Sequence, residues 1–456
     1  MHDIYLKDLI NNTDSKVLFG NLNLPLINFS KDTRTLNKGD IYIGIKGENF
    51  DGNTLYKEAL LKGASGCILN DNISLDEEFL KDYQDCFIVL TKDTIKCIQD
   101  LATYKRSLYN IPVIGITGSV GKTSTKDIIA SVLEKKYKVL KTEGNYNNHL
   151  GVPLTILRLQ DEDCLVVEMG MNHLGEISVL SRIARPTVCV ITNVGTAHIG
   201  YLGSRENILK AKLEILEGMN KSGILFINND NDLLHDYYLK NAKTINMVTY
   251  GIYNASNYIA NDIKSDENSS SFTCNIDGED YNFTINTPGS HFILNALCAI
   301  SVGKYFNIEI SKIKEGIANF NLTKKRLEVE KKNGITIIKD FYNANLDSMT
   351  SAINYLGSLK GRKIAMLGDM LELGEFSLNL HQKVGKVLED NNIDIVITVG
   401  DYSKFIKDEY SKEIYSFDTN KEAISKLKNI LKENDCLLIK ASFGMNFLEI
   451  YNEIVK

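Results

Sequence analysis

Ile114-Gly115-Ile116-Thr117-Gly118-Ser119-Val120-Gly121-Lys122-Thr123-Ser124-Thr125 decides the fold, because an apolar strand-forming run enters a glycine-rich turn, a Lys-Thr pair follows and a helix-forming stretch comes next. Such a turn is a phosphate cradle. Glycines let backbone N–H groups close around phosphate oxygens, and the new helix aims its positive end at them. Lys122 can reach terminal phosphates and the Thr123 hydroxyl can hold Mg²⁺. The expected contacts are Gly118, Ser119, Val120, Gly121, Lys122, Thr123 and Ser124. One departure stands out: the general motif carries a glycine six residues before the lysine, where this chain has Ile116.

Outward from this turn, buried strands alternate with amphipathic helices at 113–117, 164–168, 188–193 and 224–228, the pattern of a doubly wound parallel sheet. Before it, apolar runs at 41–45, 66–69 and 86–90 with a helical stretch at 55–63 predict a small α/β unit that breaks near Asn110-Ile111-Pro112. After it, 257–287 reads as alternating short strands with polar turns, followed by a helix over 291–306. Strands at 335–339, 363–367, 393–399 and 436–440 then predict a further, Rossmann-like α/β unit. The expected domains are 1–109, 110–320 and 321–456.

The 456 residues exceed one ordinary core, consistent with three domains. With 52 Lys and Arg against 58 Asp and Glu, no global charge favours nucleic acid, so anionic ligands must be held locally and the substrate is expected to be small. Eight cysteines lie scattered without zinc spacing, several inside apolar runs (Cys164, Cys189, Cys436), as in the reduced core of a cytoplasmic protein. The first 16 residues lack an apolar signal core, and no stretch approaches the roughly 18 to 20 apolar residues of a membrane span.

A phosphate loop needs an acid at the end of a neighbouring buried strand to hold Mg²⁺ from the protein side. Cys164-Leu165-Val166-Val167-Glu168 supplies it, with the alternative that Glu168 caps the next helix. The strand ending Ile191-Thr192-Asn193-Val194-Gly195-Thr196-Ala197-His198 puts His198 on the same rim, as a metal ligand or a structural imidazole. Lys210 and Lys212 sit two apart on a helix and face in nearly opposite directions, so at most one of them points at the nucleotide.

The ensemble resembles the Mur ligase family, ATP-dependent enzymes that extend the peptide of peptidoglycan precursors. Thr117–Thr123 resembles the family's phosphate loop, and Thr192–His198 its metal-binding histidine segment. Three further stretches resemble the branch that adds D-alanyl-D-alanine to UDP-N-acetylmuramoyl tripeptide: 141–155 (Lys-Thr-Glu-Gly-Asn-Tyr-Asn-Asn-His-Leu-Gly-Val-Pro-Leu-Thr), 168–172 (Glu-Met-Gly-Met-Asn) and 365–375 (Ala-Met-Leu-Gly-Asp-Met-Leu-Glu-Leu-Gly-Glu). The resemblance implies ATP, two Mg²⁺ on Thr123, Glu168, His198 and a carbamylated Lys212, and catalytic roles for Lys122, Lys212 and His198. A CO₂ adduct turns a cationic lysine into an anion that can help hold the second ion. It also implies Asn295 near the adenine, and Arg326 and Asp340 reaching the nucleotide from the C-terminal domain. The uridine diphosphate end is expected on the segment with Thr33, Arg34 and Lys46, and the other substrate contacts on Asn147, Asn148, Tyr342, Asn343 and Asn345. A cytoplasmic monomer is expected, without nucleic-acid or membrane partners.

The chain departs from the family where Lys339-Asp340-Phe341-Tyr342-Asn343-Ala344-Asn345-Leu346 stands for the usual Asp-Asp-Ser-Tyr-Asn-Ala-Asn-Pro. Asp51-Gly52-Asn53 replaces Asp-Gly-His, and Lys440-Ala441-Ser442-Phe443 replaces Lys-Gly-Ser-Arg. The last change removes a guanidinium, with Lys440 as the nearby cation that could compensate. Competing readings are a paralogue joining another amine or acyl substrate, a folylpolyglutamate-synthase-like enzyme, and a non-catalytic nucleotide-binding relative. A GTPase is disfavoured because Asn220-Lys221-Ser222-Gly223 lacks the aspartate that reads guanine.

Overall fold

Short runs of Val, Ile, Leu and Cys form the strands, since β-branched side chains lose little on extension and fill the space between a sheet and its covering helices. The computed structural model describes residues 2–266, 268–320 and 327–456 and arranges these strands in sheets of five, nine and six. The expected α/β class holds throughout. No helix among the described residues is long and apolar enough to cross a membrane.

The nine-stranded sheet carries the phosphate loop. Its strand Val113–Thr117 lies between Cys164–Glu168 and Val188–Ile191, parallel to both, with Ile116 opposite Glu168 and Thr117 opposite Ile191. All three strands are buried along their length, as a parallel sheet covered on both faces requires. They end at one rim, where open α/β sheets bind ligands. The helices Lys122–Leu133 and Ser290–Tyr305 pack together beside it. The stretch at 257–287 is an antiparallel meander, Tyr258–Ser265, Ser270–Ile276 and Glu279–Ile285, that extends one edge of the same sheet.

In the six-stranded sheet, Cys436–Lys440 lies between Ile335–Lys339 and Lys363–Gly368, parallel to both. The five-stranded sheet, from Ser15–Phe19 to Phe87–Thr91 in sequence, has one antiparallel edge on an otherwise parallel body.

Several strands have no counterpart in the apolar pattern: Ser15–Phe19, Phe29–Ser30, Val139–Lys141, Glu328–Lys332 and Glu413–Phe417. Each is a sheet edge. An edge strand keeps one side in water and tolerates charge, so its sequence shows no continuous apolar run. Met247–Gly251 likewise lies outside the predicted strands, although it is interior. The predicted strand over 393–399 begins only at Ile395, because 391–394 form the preceding turn.

Candidate active site

The phosphate loop is shaped by two glycines and a neighbouring asparagine. Gly118 has φ +153°, and a Cβ there would lie 1.9 Å from Thr192 Oγ1; Gly121 opens the helix at φ +81°. Asn193 Oδ1 accepts hydrogen bonds from Ser119 N at 3.0 Å and Val120 N at 2.9 Å, while Ser119 Oγ accepts from Gly195 N at 2.9 Å. Thr192 Oγ1 donates to Val120 O at 2.6 Å. Lys122 Nζ folds back to Gly118 O at 2.7 Å.

Glu168 sits at the strand end with both carboxylate oxygens engaged. Thr123 Oγ1 donates to one at 2.8 Å and Asn147 Nδ2 to the other at 2.7 Å. Its backbone N donates to Thr142 Oγ1 at 3.0 Å, so the loop after Val139–Lys141 fixes the acid from both ends. Asn148 Oδ1 accepts from Leu150 N and Gly151 N at the start of the helix Gly151–Leu157. Asn295 Oδ1 accepts from Thr125 Oγ1 at 3.1 Å and lies beside Gly121.

The two lysines of the helix Arg205–Leu213 separate as their spacing requires: Lys210 is exposed and Lys212 is buried. Burial drives the Lys212 ammonium well below the usual lysine range, the Lys122 cation adds to this, and the Asp347 carboxylate opposes it.

Loops from the six-stranded sheet complete the site. A cavity of about 660 Å³ brings Lys122, Glu168 and His198 together with Asp340, Tyr342 and Lys440. Ser119, Val120, Gly121, Ser124, Asn147, Asn148, Asn295, Asn343 and Asn345 also line it. Asn345 Oδ1 caps the helix Leu346–Ser358 through Ser348 N at 2.9 Å, and Asn343 Oδ1 accepts from Ala344 N at 2.8 Å. Burial lowers His291, at the cavity wall, to about 4, with Asp340 opposing and Lys440 reinforcing the shift.

Lys440 corrects one expectation. It is buried, and its Nζ donates to Asp340 Oδ2 at 2.5 Å and Asn343 O at 3.1 Å, so its charge is already paired. Phe443 is 72% exposed, its ring 6.4 Å from that of Tyr342. Lys440 therefore does not replace the missing guanidinium.

Thr33, Arg34 and Lys46 belong to the five-stranded unit and do not line this cavity. Arg34 forms a two-pronged pair with Asp32, holding that carboxyl at about 2, and Thr33 is buried with its carbonyl accepting from Lys62 Nζ at 2.9 Å. Arg326 lies outside the described residues. Asn193, Asp347 and Glu372 join the site in addition to the residues expected from the sequence. Asn193 was readable, as an amide at a strand end facing a loop of unpaired N–H groups; the two acids act across more than 150 residues, and nothing local names their partners, although Glu372 lies within the 365–375 stretch.

Residues 116–303 match the Mur ligase middle domain and residues 325–443 the Mur ligase, glutamate ligase domain. A UDP-N-acetylmuramoyl-tripeptide--D-alanyl-D-alanine ligase of Bacillus subtilis (strain 168) is 37% identical over 434 residues, 93% of this chain and 92% of its own length. Among solved structures, MurF from Acinetobacter baumannii is similar with a TM-score of 0.90 at 26% identity, covering 100% of this chain and 99% of that one. MurF ligase from Thermotoga maritima in complex with ADP has a TM-score of 0.81 at 27% identity, covering 94% and 97%. With a phosphate loop, a strand-end acid and a C-terminal sheet closing one cavity, and with similarity running nearly end to end, the chain belongs to the Mur ligase family, on the branch of the UDP-N-acetylmuramoyl-tripeptide–D-alanyl-D-alanine ligases.

Proposed function

We propose that the chain joins D-alanyl-D-alanine to UDP-N-acetylmuramoyl tripeptide at the expense of ATP, releasing ADP and phosphate, in peptidoglycan precursor synthesis. The single observation that carries this reading is the shared cavity, in which a nucleotide-phosphate loop faces the loops of a separate sheet. The terminal carboxylate of the tripeptide attacks the γ-phosphate of ATP, giving an acyl phosphate and ADP. The dipeptide amine then attacks the acyl carbon and phosphate leaves.

Backbone N–H groups of 118–123 and the Lys122 ammonium offset charge on the transferring phosphoryl group. Asn193 pre-shapes that loop by holding the Ser119 and Val120 amides. Asn295 and Asp340, with Arg326, hold the nucleotide; Thr33, Arg34 and Lys46 seat the uridine diphosphate; Asn147, Asn148, Tyr342, Asn343 and Asn345 bind the peptides. Domains at 1–109, 110–320 and 321–456 correspond to these tasks. Excluding water is the task of the C-terminal loops, because hydrolysis would discharge the acyl phosphate.

The donor set fits magnesium. Thr123 Oγ1 and Glu168 Oε2 are hard oxygens 2.8 Å apart beside the phosphate loop, and Mg²⁺ is commonly held by one or two such groups plus phosphate oxygens and water. Two ions would be held by Thr123, Glu168, His198 and carbamylated Lys212, where they supply charge neutralisation to the phosphates. A carbamate on Lys212 would add an anion to the oxygens of Thr123 and Glu168. Burial disfavours the charged form of the Lys212 amine, and the neutral amine is the form that adds CO₂, which supports Lys212 as its carrier. The reading includes a monomer in the cytoplasm, a reducing compartment in accord with eight unpaired thiols.

The test is ADP formation from UDP-N-acetylmuramoyl tripeptide across a panel of dipeptides, with phosphate release followed without amine as the control. D-Alanyl-D-alanine should support turnover. Turnover with no dipeptide, or with an unrelated amine in preference, overturns the reading.

A further inference from the structure

Two carboxylates cross from the six-stranded unit to the turn at 195–200. Asp347, in the first turn of Leu346–Ser358, accepts on Oδ2 from Thr196 N at 2.9 Å and Thr196 Oγ1 at 3.2 Å. The fit is close enough that a Cβ on Gly195 would lie 2.2 Å from that same oxygen. Glu372 Oε2 meets His198 Nδ1 at 2.7 Å, and the Glu372 carbonyl accepts from Gly200 N at 3.1 Å. A Cβ on Gly200 would stand 2.6 Å from that carbonyl oxygen and 2.7 Å from Gly374 N, so two backbones touch here with no side chain between them. His198 and Glu372 both have φ +63°, a posture that non-glycine residues rarely hold and that surrounding structure must enforce.

We propose that Asp347 and Glu372 are positioning residues of a two-point latch that couples seating of the C-terminal unit to the orientation of His198. The inference rests on the ligase reading for its kinetic consequence, and on geometry alone for the latch itself. An ionised carboxylate can only accept, so Nδ1 carries a ring proton in this contact and Nε2 is the nitrogen left for other partners. A carboxylate on one ring nitrogen fixes both tautomer and ring plane, and so the direction in which the other nitrogen can act. Asp347 anchors the backbone two residues before His198, and Glu372 anchors the backbone two residues after it as well as the ring. The imidazole is thereby set only when the two units are together, which is also when the cavity that His198 and Asp347 both line is walled from both sides.

The test compares Glu372→Ala, Glu372→Gln and the double variant Glu372→Ala/Asp347→Ala with the parent chain. For Glu372→Ala, kcat should fall about tenfold or more, with KM for ATP held within about twofold and the melting temperature unchanged. Glu372→Gln keeps an acceptor for Nδ1–H and should recover part of the loss. Small-angle scattering of the ligand-free double variant should give a larger radius of gyration than the parent. Unchanged kcat in Glu372→Ala overturns the positioning role, as does a fall in which glutamine fares no better than alanine and melting drops in parallel. A parent enzyme that ligates nothing would sink the ligase reading, whereas equal radii of gyration for parent and double variant would sink the latch whatever the enzyme does.

Discussion

Replacing Lys212 by methionine keeps an unbranched apolar chain in the same buried space, with sulfur in place of the δ-methylene, and removes the nitrogen. If that nitrogen carries the carbamate, ligation should fall by on the order of a hundredfold, the scale on which one electrostatic group aimed at developing charge contributes. The fold should not suffer, because the exchange also removes an amine whose charged form burial disfavours. Lys212→Ala differs: it deletes three buried methylenes at about 0.8 kcal/mol each, about 2.4 kcal/mol of burial, and opens room beside the loop. Acetate or formate can enter that room and supply the missing anion, so ADP release by Lys212→Ala should rise with added acetate. Lys212→Met should not respond, since its side chain fills the space. Stability gives an independent reading. The folded ammonium titrates below its usual 10.5, so between the lowered value and 10.5 the unfolded chain binds more protons than the folded one. Stability contributed by this residue therefore rises with pH through that window, and below it the penalty is constant. In CO₂-free buffer the melting-temperature advantage of Lys212→Met over the parent should shrink from about pH 7 to about pH 10. Parental turnover in Lys212→Met, equal acetate rescue of both variants, or a pH-independent melting difference refutes the reasoning.

Lys122→Ala should abolish ligation, measured as ADP release, while melting shifts by no more than about 0.5 kcal/mol in stability, because the side chain is only half-buried and serves the loop rather than the core. Phe443→Arg should strengthen D-alanyl-D-alanine use, seen as a lower KM for the dipeptide. Lys440 is already held by Asp340, and a charge-assisted contact to a carboxylate contributes about 1.5 to 3 kcal/mol, about ten- to a hundredfold. Tight dipeptide use by the parent chain, weakened by the arginine, would show the altered motif to be harmless.

What the sequence disclosed follows from the range of the forces involved. Lys122, Thr123 and Glu168 were legible because each lies at the junction of a buried apolar run and a polar turn, a pattern contained within a dozen residues. Helical geometry allowed at most one of Lys210 and Lys212 inward, and it was the family resemblance, not the spacing, that pointed to Lys212, the buried one. Edge strands such as Glu328–Lys332 were not legible, since a strand with one wet side has no reason to be apolar. The Asp347–Thr196 and Glu372–His198 contacts were invisible for a different reason: Glu372 lies inside the 365–375 stretch that carries the resemblance, but no residue beside it or beside Asp347 names the partner, which is set by how two separate sheets dock. Lys440 was misjudged because its neighbour in space, Asp340, is 100 residues away.

The strand Cys436–Lys440 sits in the middle of its sheet although it follows every other strand of that sheet in the chain. On the ribosome, a nascent chain that has reached residue 435 has all the strands of its five- and nine-stranded sheets, including the one that feeds the nucleotide loop. Its C-terminal portion, however, is two unjoined pieces: the hairpin of Glu328–Lys332 with Ile335–Lys339, and the trio Lys363–Gly368, Ile395–Val399 and Glu413–Phe417, each with an open edge facing an empty slot. Open edges of this kind invite wrong pairing with other chains. The insertion of 436–440 fills the slot, joins the two pieces and delivers Lys440 to Asp340 in one event. The last strand of this sheet to be made is therefore the keystone of its unit, and the wall of the cavity that carries Asp340 and Lys440 depends on it.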